Sequence, residues 1–188
     1  MQIKKTHIEG LLEITPKVFE DDRGYFYESY NKLAYMKEGI DYNFIQDNQS
    51  LSQKGVLRGL HFQNPPYAQG KLVRVIKGAV IDVAVDLRKN SPTYGKYHKV
   101  LLTEGNKRMF WIPPGFAHGF LTLEDDTIFA YKVTNIYHKE SEACIKWDDY
   151  DLNIEWDIPE EITPIVSEKD EEGVSFKNYK SEFNIVIN

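Results

Sequence analysis

Apolar and polar residues alternate along the chain in short stretches, with the period expected of β-strands. Early in the chain the pattern predicts a strand at Leu11 to Ile14 and an aromatic-rich strand over Tyr25 to Tyr30 that contains Glu28. Later strands are predicted at Lys99 to Thr103, Met109 to Ile112, Gly119 to Leu123 and Thr127 to Tyr137. Turn-forming residues separate these stretches, which indicates antiparallel strands.

The strongest alternation lies between Gly70 and Leu87. Val73 and Val75 share one face of a strand, and Gly78 is expected to form a turn. The following strand places a row of apolar residues on one side, namely Ile81, Val83, Val85 and Leu87. We expect a hairpin with one face toward the core.

Helical periodicity is almost absent from the chain. Lys32 to Glu38 is predicted to form a short helix that ends at Gly39. The tail from Asp148 onward is acidic and less periodic, and the five charged residues from Glu168 to Glu172 are typical of a solvated loop. The fold class is therefore all-β, a cupin-type antiparallel jelly roll with a few short helices. We expect residues 1–188 to form one domain, with an N-terminal segment that contacts a second subunit and a less regular C-terminal tail.

Composition narrows the functional classes. A formal net charge of −6 argues against nucleic acid as the main partner, because phosphate backbones favour basic surfaces. The single cysteine, Cys144, excludes an intramolecular disulfide and a clustered-thiolate zinc site, and it fits a reducing compartment. The start of the chain has no signal-peptide-like apolar run, and Asp82 and Asp86 interrupt the apolar stretch Val80 to Leu87. We expect a soluble cytoplasmic protein without a membrane partner.

The stretch Val56 to Gln63 combines a histidine and an arginine on one predicted strand. His61 carries the side chain that titrates nearest neutrality, while Arg58 stays charged and can bind a phosphate through two parallel hydrogen bonds. Strict alternation would send the two to opposite faces, as an ordinary core histidine and a surface arginine. A bulge at Gly59 would instead turn both toward one cavity.

Further polar residues fall near the ends of predicted strands. Lys71 begins the hairpin, and His118 follows a rigid turn that would place it at the mouth of the next strand. Tyr131 and Tyr137 are expected on one face of their strand, where a hydroxyl with a pKa of about 10 can donate a proton to a carbanion. The polar run from Gln46 to Gln49 is equally consistent with a solvated strand edge and with a ligand-binding segment.

Six stretches, spread over about Phe19 to Asp170, together resemble the dTDP-4-dehydrorhamnose 3,5-epimerase family. They are Gln46-Asp47-Asn48-x-Ser50, Val56 to Gln63, Gln69 to Val75, Asp82 to Arg88, Trp111 to Phe120, and Ser167-Glu168-Lys169-Asp170. The resemblance implies a jelly-roll homodimer with shared active sites. It also implies conversion of dTDP-4-dehydro-6-deoxy-D-glucose to dTDP-4-dehydro-L-rhamnose, with neither a metal nor any other cofactor.

The same resemblance implies a role for each site residue. His61 would be the base, Asp170 the carboxylate that orients it, Tyr131 the acid on the opposite face, and Lys71 the cation beside the developing oxyanion. The expected substrate-binding residues are Arg23 and Arg58 at the diphosphate, Phe19 and Tyr137 around the thymine, Glu28, Gln46 and Asn48 at the nucleoside, and in addition Asp47, His118, Glu142 and Lys169. His118 would assist Lys71 or touch the pyrophosphate. Phe19, Arg23 and Glu28 are expected to come from the neighbouring subunit.

The chain departs from the family pattern at two places. Gln49 stands where a histidine is common, and Ala143-Cys144 stands where Arg-Gly is common. We expect neither departure to touch the acid, the base or the residue that holds the enolate. Similar enzymes invert only one centre or use a CDP-sugar, and the motifs do not separate these cases.

Two other classes of protein would require different residues. A metal-dependent cupin enzyme would need a His-x-His pair with a further Glu and His, and the five histidines of the chain never stand at that spacing. An inactive sugar-nucleotide-binding module would lack the base or the acid, whereas His61 and Tyr131 are both present.

Overall fold

The computed structural model describes residues 1–184, so the last four residues of the expected domain lie outside the described part. The strands are β1 (Gln2–Lys5), β2 (Leu12–Thr15), β3 (Val18–Asp21), β4 (Gly24–Tyr27), β5 (Gln46–Ser52), β6 (Leu57–Gln63), β7 (Lys71–Lys77), β8 (Ala79–Asp86), β9 (Tyr97–Thr103), β10 (Met109–Ile112), β11 (Phe116–Thr122), β12 (Thr127–Val133) and β13 (Glu142–Cys144). The α-helices are α1 (Lys32–Lys37) and α2 (Glu168–Glu171).

Two antiparallel sheets form the body of the protein. One has six strands in the order β1-β2-β10-β7-β12-β5, and the other has five in the order β13-β6-β11-β8-β9. β3 and β4 pair only with each other, as a separate hairpin. The predicted all-β class, with few and short helices, is confirmed.

The core has three clusters of buried residues. The smallest joins Ile14, Leu72, Met109 and Trp111 of the six-stranded sheet to Tyr35 of α1 and to Ile40. The other two lie on the two sides of the five-stranded sheet. Between the sheets, Val73 and Val75 of β7 pack with Val80 and Ala84 of β8 and with a group of phenylalanines. On the outer side of the same sheet, Val83, Val85 and Leu87 pack against the C-terminal segment through Trp156 and Phe183. Alternate residues of β8 therefore serve different layers, which confirms the predicted face of Val83, Val85 and Leu87.

The predicted hairpin between Gly70 and Leu87 is wrong. β7 and β8 are consecutive, yet they belong to different sheets, and the chain crosses from one sheet to the other at Gly78. Gly78 has a φ of +83°, and a Cβ there would lie 2.3 Å from Thr127 Oγ1. Alternation shows which face of each strand is buried, and two strands that face each other across a core show the same pattern as two that pair side by side.

Helix α1 matches its prediction. The Asn31 side chain caps its start by accepting a hydrogen bond from the Ala34 N–H at 3.2 Å. Gly39 follows its end with a φ of +86°, a conformation that glycine adopts without steric cost.

Three predicted strand boundaries need correction. β4 ends at Tyr27, so Glu28 lies just beyond the strand rather than inside it. β12 ends at Val133, so Tyr137 does not share a strand face with Tyr131. β11 begins at Phe116 rather than at Gly119. None of the helices between residues 1 and 184 is long and apolar enough to cross a membrane.

Candidate active site

A bulge in β6 brings Arg58 and His61 to one cavity. In the pairing with β11, His61 lies opposite His118 and Arg58 lies opposite Phe120, so three steps along β6 match two along β11. The extra residue falls at Gly59, which has a φ of +142°. Arg58 and His61 both line a cavity of about 420 Å³, so of the two arrangements that the sequence left open the bulged one is found.

His61 is held by a buried carboxylate from the other end of the chain. Its Nε2 lies 2.5 Å from Asp170 Oδ1, and the Gly59 N–H donates to the other Asp170 oxygen at 3.3 Å. Burial works to raise the pKa of Asp170, but the contacts with His61, Gly59 and Ser167 outweigh it and hold the pKa below its usual value. Asp170 is therefore a carboxylate at neutral pH and fixes the orientation and tautomer of His61.

The segment that carries Asp170 is a helix, and the expected solvated loop is wrong. Ser167 caps α2 by accepting a hydrogen bond from the Asp170 N–H at 3.3 Å. Asp170 is only 3% exposed, while Glu168, Lys169 and Glu171 face solvent. A run of charged residues one helical turn long has no hydrophobic periodicity, so its pattern did not distinguish a buried carboxylate from a solvated one.

A second cavity, of about 240 Å³, lies between the two sheets at one end and also includes His61. Its lining contains seven of the residues that the sequence singled out, namely Gln46, Asn48, His61, Lys71, Tyr131, Tyr137 and Glu142. β5, β7 and β12 supply residues from the six-stranded sheet, and β6 and β13 supply residues from the other. The polar run at the edge strand β5 is thus both a sheet edge and part of a cavity wall.

Lys71 lies at the buried side of this cavity. Its Nζ donates a hydrogen bond to the His61 carbonyl oxygen at 3.3 Å. Burial lowers the pKa of Lys71 to about 8, although the carboxylates of Asp82 and Glu142 work to raise it. At neutral pH most of the protein therefore carries an ammonium group at this position.

The predicted position of His118 at the mouth of a strand is wrong. His118 is a buried residue within β11, and its Nε2 is 2.9 Å from Asp82 Oδ2. Burial lowers the pKa of His118 and raises that of Asp82, while each group partly opposes the shift of the other. His118 is not in the lining of either cavity that contains His61.

Tyr131 and Tyr137 differ in their surroundings. Burial raises the pKa of Tyr131, with a smaller opposing effect from Arg58, so the Tyr131 hydroxyl is protonated at neutral pH. Tyr137 is exposed, and its hydroxyl donates to Glu142 Oε2 at 3.0 Å. The same Glu142 oxygen lies 2.6 Å from Lys169 Nζ, so a tyrosine, a carboxylate and a lysine form a chain along the cavity rim.

Besides His118, four of the expected binding residues do not reach these cavities within one chain. Asp47 turns away and pairs with Lys132 at 2.8 Å. Phe19 and Arg23 lie on the β3–β4 hairpin, and the Arg23 side chain is 90% exposed. Glu28 follows the hairpin and accepts a hydrogen bond from the Asn31 side chain at 3.0 Å.

Several residues of the site were not singled out from the sequence. Gln63 and Gln69 line the smaller cavity, and both donate to backbone carbonyls in the segment after β12, which positions Tyr137. In the sequence Asp82 was noted only as a break in an apolar stretch. A carboxylate inside the apolar run of β8 is nevertheless the signal of a buried polar contact.

One departure from the family pattern does touch the proposed base, contrary to expectation. Cys144 lies directly opposite His61 in the pairing of β13 with β6. Burial and the nearby Asp170 raise the pKa of the Cys144 thiol to about 12, so it is protonated at neutral pH. Gln49 lies apart from His61, in a cavity of about 390 Å³ that shares Asn48 and Tyr131 with the site.

Comparison with known proteins decides the family. The sequence model of the dTDP-4-dehydrorhamnose 3,5-epimerase family matches residues 5–178. The chain belongs to this family. It is 53% identical over 172 residues to the dTDP-4-dehydrorhamnose 3,5-epimerase of Escherichia coli K12, covering 91% of this chain and 92% of the relative.

Solved structures of the epimerase family share the fold. The dTDP-6-deoxy-D-glucose-3,5-epimerase of Legionella pneumophila, solved in complex with dTDP-4-keto-L-rhamnose, is 48% identical, with a TM-score of 0.90 over 95% of this chain and 94% of that one. A 3'-monoepimerase of Streptomyces bikiniensis, in complex with dTDP-quinovose, is 30% identical, with a TM-score of 0.85 over 90% and 85%. The jelly-roll fold is therefore that of the epimerases.

Proposed function

We propose that the protein is a dTDP-4-dehydrorhamnose 3,5-epimerase. It converts dTDP-4-dehydro-6-deoxy-D-glucose to dTDP-4-dehydro-L-rhamnose by inverting C3 and C5 beside the C4 ketone. The observation that carries the proposal is the His61–Asp170 pair, which opens on a cavity shared with Tyr131 and Lys71. Relatives about half identical to this chain carry the name of this activity.

The ketone makes the hydrogens on C3 and C5 acidic, so inversion needs a base, an acid and a group that stabilises the enolate. His61 is the base because Asp170 fixes its tautomer and stabilises the imidazolium that forms after proton abstraction. Asp170 keeps its negative charge through the cycle, since the contact with His61 contributes to its lowered pKa.

Tyr131 and Lys71 supply the other two functions. Tyr131 is the acid, because its raised pKa keeps the hydroxyl protonated until a carbanion takes the proton. Lys71 stabilises the enolate oxygen, because a buried ammonium acts far more strongly on a developing charge than one in water. Every step uses a side chain of the protein, so the scheme calls for no cofactor.

The nucleotide occupies the cavities on either side of His61. Arg58 binds the diphosphate, since it lies beside His61 and can offer two parallel hydrogen bonds. Gln46 and Asn48 contact the nucleoside from β5, and Tyr137 stacks on the thymine at the rim. Glu142 and Lys169 orient Tyr137 through their contacts at the rim.

The β3–β4 hairpin completes the site of a second subunit. Phe19 and Phe26 are exposed apolar residues on this hairpin. Arg23 projects from the tip of the hairpin and does not line either of the cavities that contain His61 of its own chain. A second copy would cover the aromatic rings and receive Arg23 at its diphosphate, with Phe19 and Glu28 near the nucleoside. The enzyme is therefore a homodimer with shared sites. A cytoplasmic location is part of the proposal, because the protein has one half-buried thiol and no need of an oxidising compartment.

The function is tested by incubating the purified protein with dTDP-4-dehydro-6-deoxy-D-glucose and trapping the product with a stereospecific 4-ketoreductase. Proton NMR of the trapped sugar is expected to show inverted configuration at both C3 and C5. Inversion at C3 alone would assign the protein to the same activity as the Streptomyces bikiniensis relative. No conversion of the dTDP-sugar, with conversion of the CDP-sugar, would contradict the proposed nucleotide.

A further inference from the structure

Three side chains of different chemistry meet at the proposed base. Cys144 lies opposite His61 across the β13–β6 pair, and Asp170 approaches His61 from α2. One sulfur, one imidazole nitrogen and one carboxylate oxygen all lie within 4.8 Å of one another. Among residues 1–184 this is the one group of three such side chains that comes so close together.

This set of atoms matches the ligands that zinc prefers. Zn²⁺ binds sulfur at about 2.3 Å and nitrogen or oxygen at about 2.0–2.2 Å, so ligand atoms around one tetrahedral ion lie roughly 3.4–3.7 Å apart. His61 Nε2 and Asp170 Oδ1 are 2.5 Å apart and would have to separate by about 1 Å. The sulfur starts at most 4.8 Å from the other two atoms, so small side-chain movements bring all three to the required distances.

We propose that His61, Cys144 and Asp170 form an inhibitory site for a thiophilic divalent cation such as Zn²⁺. On binding, the thiol proton passes to solvent and a sulfur–metal bond forms. The proton that His61 Nε2 shares with Asp170 moves to Nδ1 by exchange with solvent, so that Nε2 and the carboxylate bind the ion without a net change of charge. Water fills the fourth position of the tetrahedron. The bound ion is neutralised by one thiolate and one carboxylate, and no electron is transferred.

The cation can reach the site from two sides. His61 lines both the 240 Å³ cavity and the 420 Å³ cavity, and its side chain is 31% exposed. Asp170 also lines the larger cavity. An ion that enters the smaller cavity therefore reaches His61, and one that enters the larger cavity reaches both His61 and Asp170.

Inhibition follows from what the ion would occupy. A cation between His61 Nε2 and Asp170 breaks their hydrogen bond and leaves the His61 proton on Nδ1, so the ring has no lone pair with which to abstract a substrate proton. Hard cations such as Mg²⁺ favour all-oxygen ligands, so they should bind poorly to this mixed set. Binding of the ion depends on the three side chains alone, whereas inhibition of the enzyme depends on the proposed function of His61 as the base.

The test uses the full-length protein, stripped with a chelator and assayed by proton NMR in deuterated water without a coupling enzyme. Zn²⁺ in modest excess over the protein should stop deuterium exchange into the substrate, and chelator should restore it. Mg²⁺ at the same concentration should have no effect. In a parallel titration, Co²⁺ should give a thiolate-to-cobalt charge-transfer band that reports bonding to Cys144 without any reference to activity.

Two variants make the test specific. Cys144→Ser should keep the exchange rate of the chelated wild type, need at least about tenfold more Zn²⁺ for inhibition, and lose the cobalt band. His98→Asn is the matched control, because His98 lies near His7 and Glu13, a second place where histidines and a carboxylate meet. This variant should keep the zinc sensitivity of the wild type.

The outcomes separate the site from the function. Equal zinc sensitivity in Cys144→Ser, or no thiolate band in the wild type, would overturn the metal site and leave the proposed activity standing. A thiolate band together with undiminished exchange would show that the site binds the ion, and would overturn both the inhibition and the role of His61 as base.

Discussion

Tyr131 and His61 line the same cavity from different sheets, and the two side chains act at different stages of the proposed reaction. Replacing Tyr131 with Phe removes the proton donor and leaves the His61–Asp170 pair intact. Exchange of substrate hydrogens with deuterated solvent should persist, because His61 can remove a proton and return it to the same face. Net epimerisation should fall by about 10²–10⁴-fold.

The matched control is Tyr97→Phe, which removes a hydroxyl that accepts a hydrogen bond from the Glu155 N–H. Tyr97→Phe should retain both exchange and epimerisation. An equal loss of exchange and epimerisation in Tyr131→Phe would contradict the separate roles of acid and base.

Lys71 makes the proposed reaction sensitive to alkaline pH. Burial lowers the pKa of Lys71 to about 8, against the opposing effects of Asp82 and Glu142, so the ammonium is lost as pH rises through that value. Because the neutral amine cannot stabilise the enolate, kcat/KM measured in chelator should fall above about pH 8. Lys71→Arg should react more slowly but keep its charge, which moves the fall to higher pH. A kcat/KM that falls at the same pH in both proteins would contradict this role.

The pattern of residues along the chain does not show which distant residues come together in the folded protein. His61 and Asp170 are 109 positions apart, so no periodicity connects them. Resemblance to a family, rather than pattern, singled out Asp170. For Cys144 neither the pattern nor the resemblance indicated a place in the site. The pairing of β13 with β6 in the structure reveals that Cys144 faces His61.

Among the elements, the bulge in β6 has the most direct link to the site. A Cβ on Gly59 would lie 2.5 Å from Gly119 Cα, which is backbone and cannot move aside cheaply, and the φ of +142° is strained for any other residue. Gly59→Ala should therefore lower the free energy of unfolding by about 2–5 kcal/mol and reduce turnover, since the bulge positions Arg58 and His61.

Urea denaturation monitored by fluorescence measures the effect. Gly105→Ala is the matched control, because a Cβ there would meet its nearest neighbour at an ordinary 3.6 Å. That change should alter the free energy of unfolding by less than about 1 kcal/mol. Similar effects at the two glycines would show that the bulge is not under steric constraint.

The strands themselves were largely predictable, and their partners were not. β10 has the predicted boundaries, and the alternation in β8 indicated which residues share a face. The predicted pairing of the strands on either side of Gly78 was wrong. The sequence shows that a strand face is buried, but not whether the neighbouring strand lies beside it or across the core. Helix α2 was not predicted for a different reason, because four residues are too few to show a helical period.

The whole molecule is expected to work as a dimer in which each site draws on both chains. We would co-express Arg23→Ala and His61→Asn chains with different tags and purify the mixed dimer. If the hairpin reaches the neighbouring site, one site of the mixed dimer has both defects and the other has none. The mixed dimer should then show about half of the wild-type activity, although each parent variant is impaired.

A second mixed dimer provides the control. It pairs a wild-type chain with a chain that carries both Arg23→Ala and His61→Asn. With shared sites, each site of this dimer has one defect, so its activity should be low. Sites built within single chains would reverse the two results, and that reversal would contradict the proposed dimer.

In the proposed reaction, His61 removes the protons at both C3 and C5. The most direct measurement is proton NMR of dTDP-4-dehydro-6-deoxy-D-glucose in deuterated water, with wild type, His61→Asn and His98→Asn compared in the presence of chelator. His98 also contacts a carboxylate, that of Glu13 at 3.2 Å, but lies outside both cavities that contain His61. Wild type and His98→Asn should replace both hydrogens with deuterium, and His61→Asn should slow both exchanges by at least about 10²-fold. Exchange at wild-type rates in His61→Asn would contradict the role of His61 as the base.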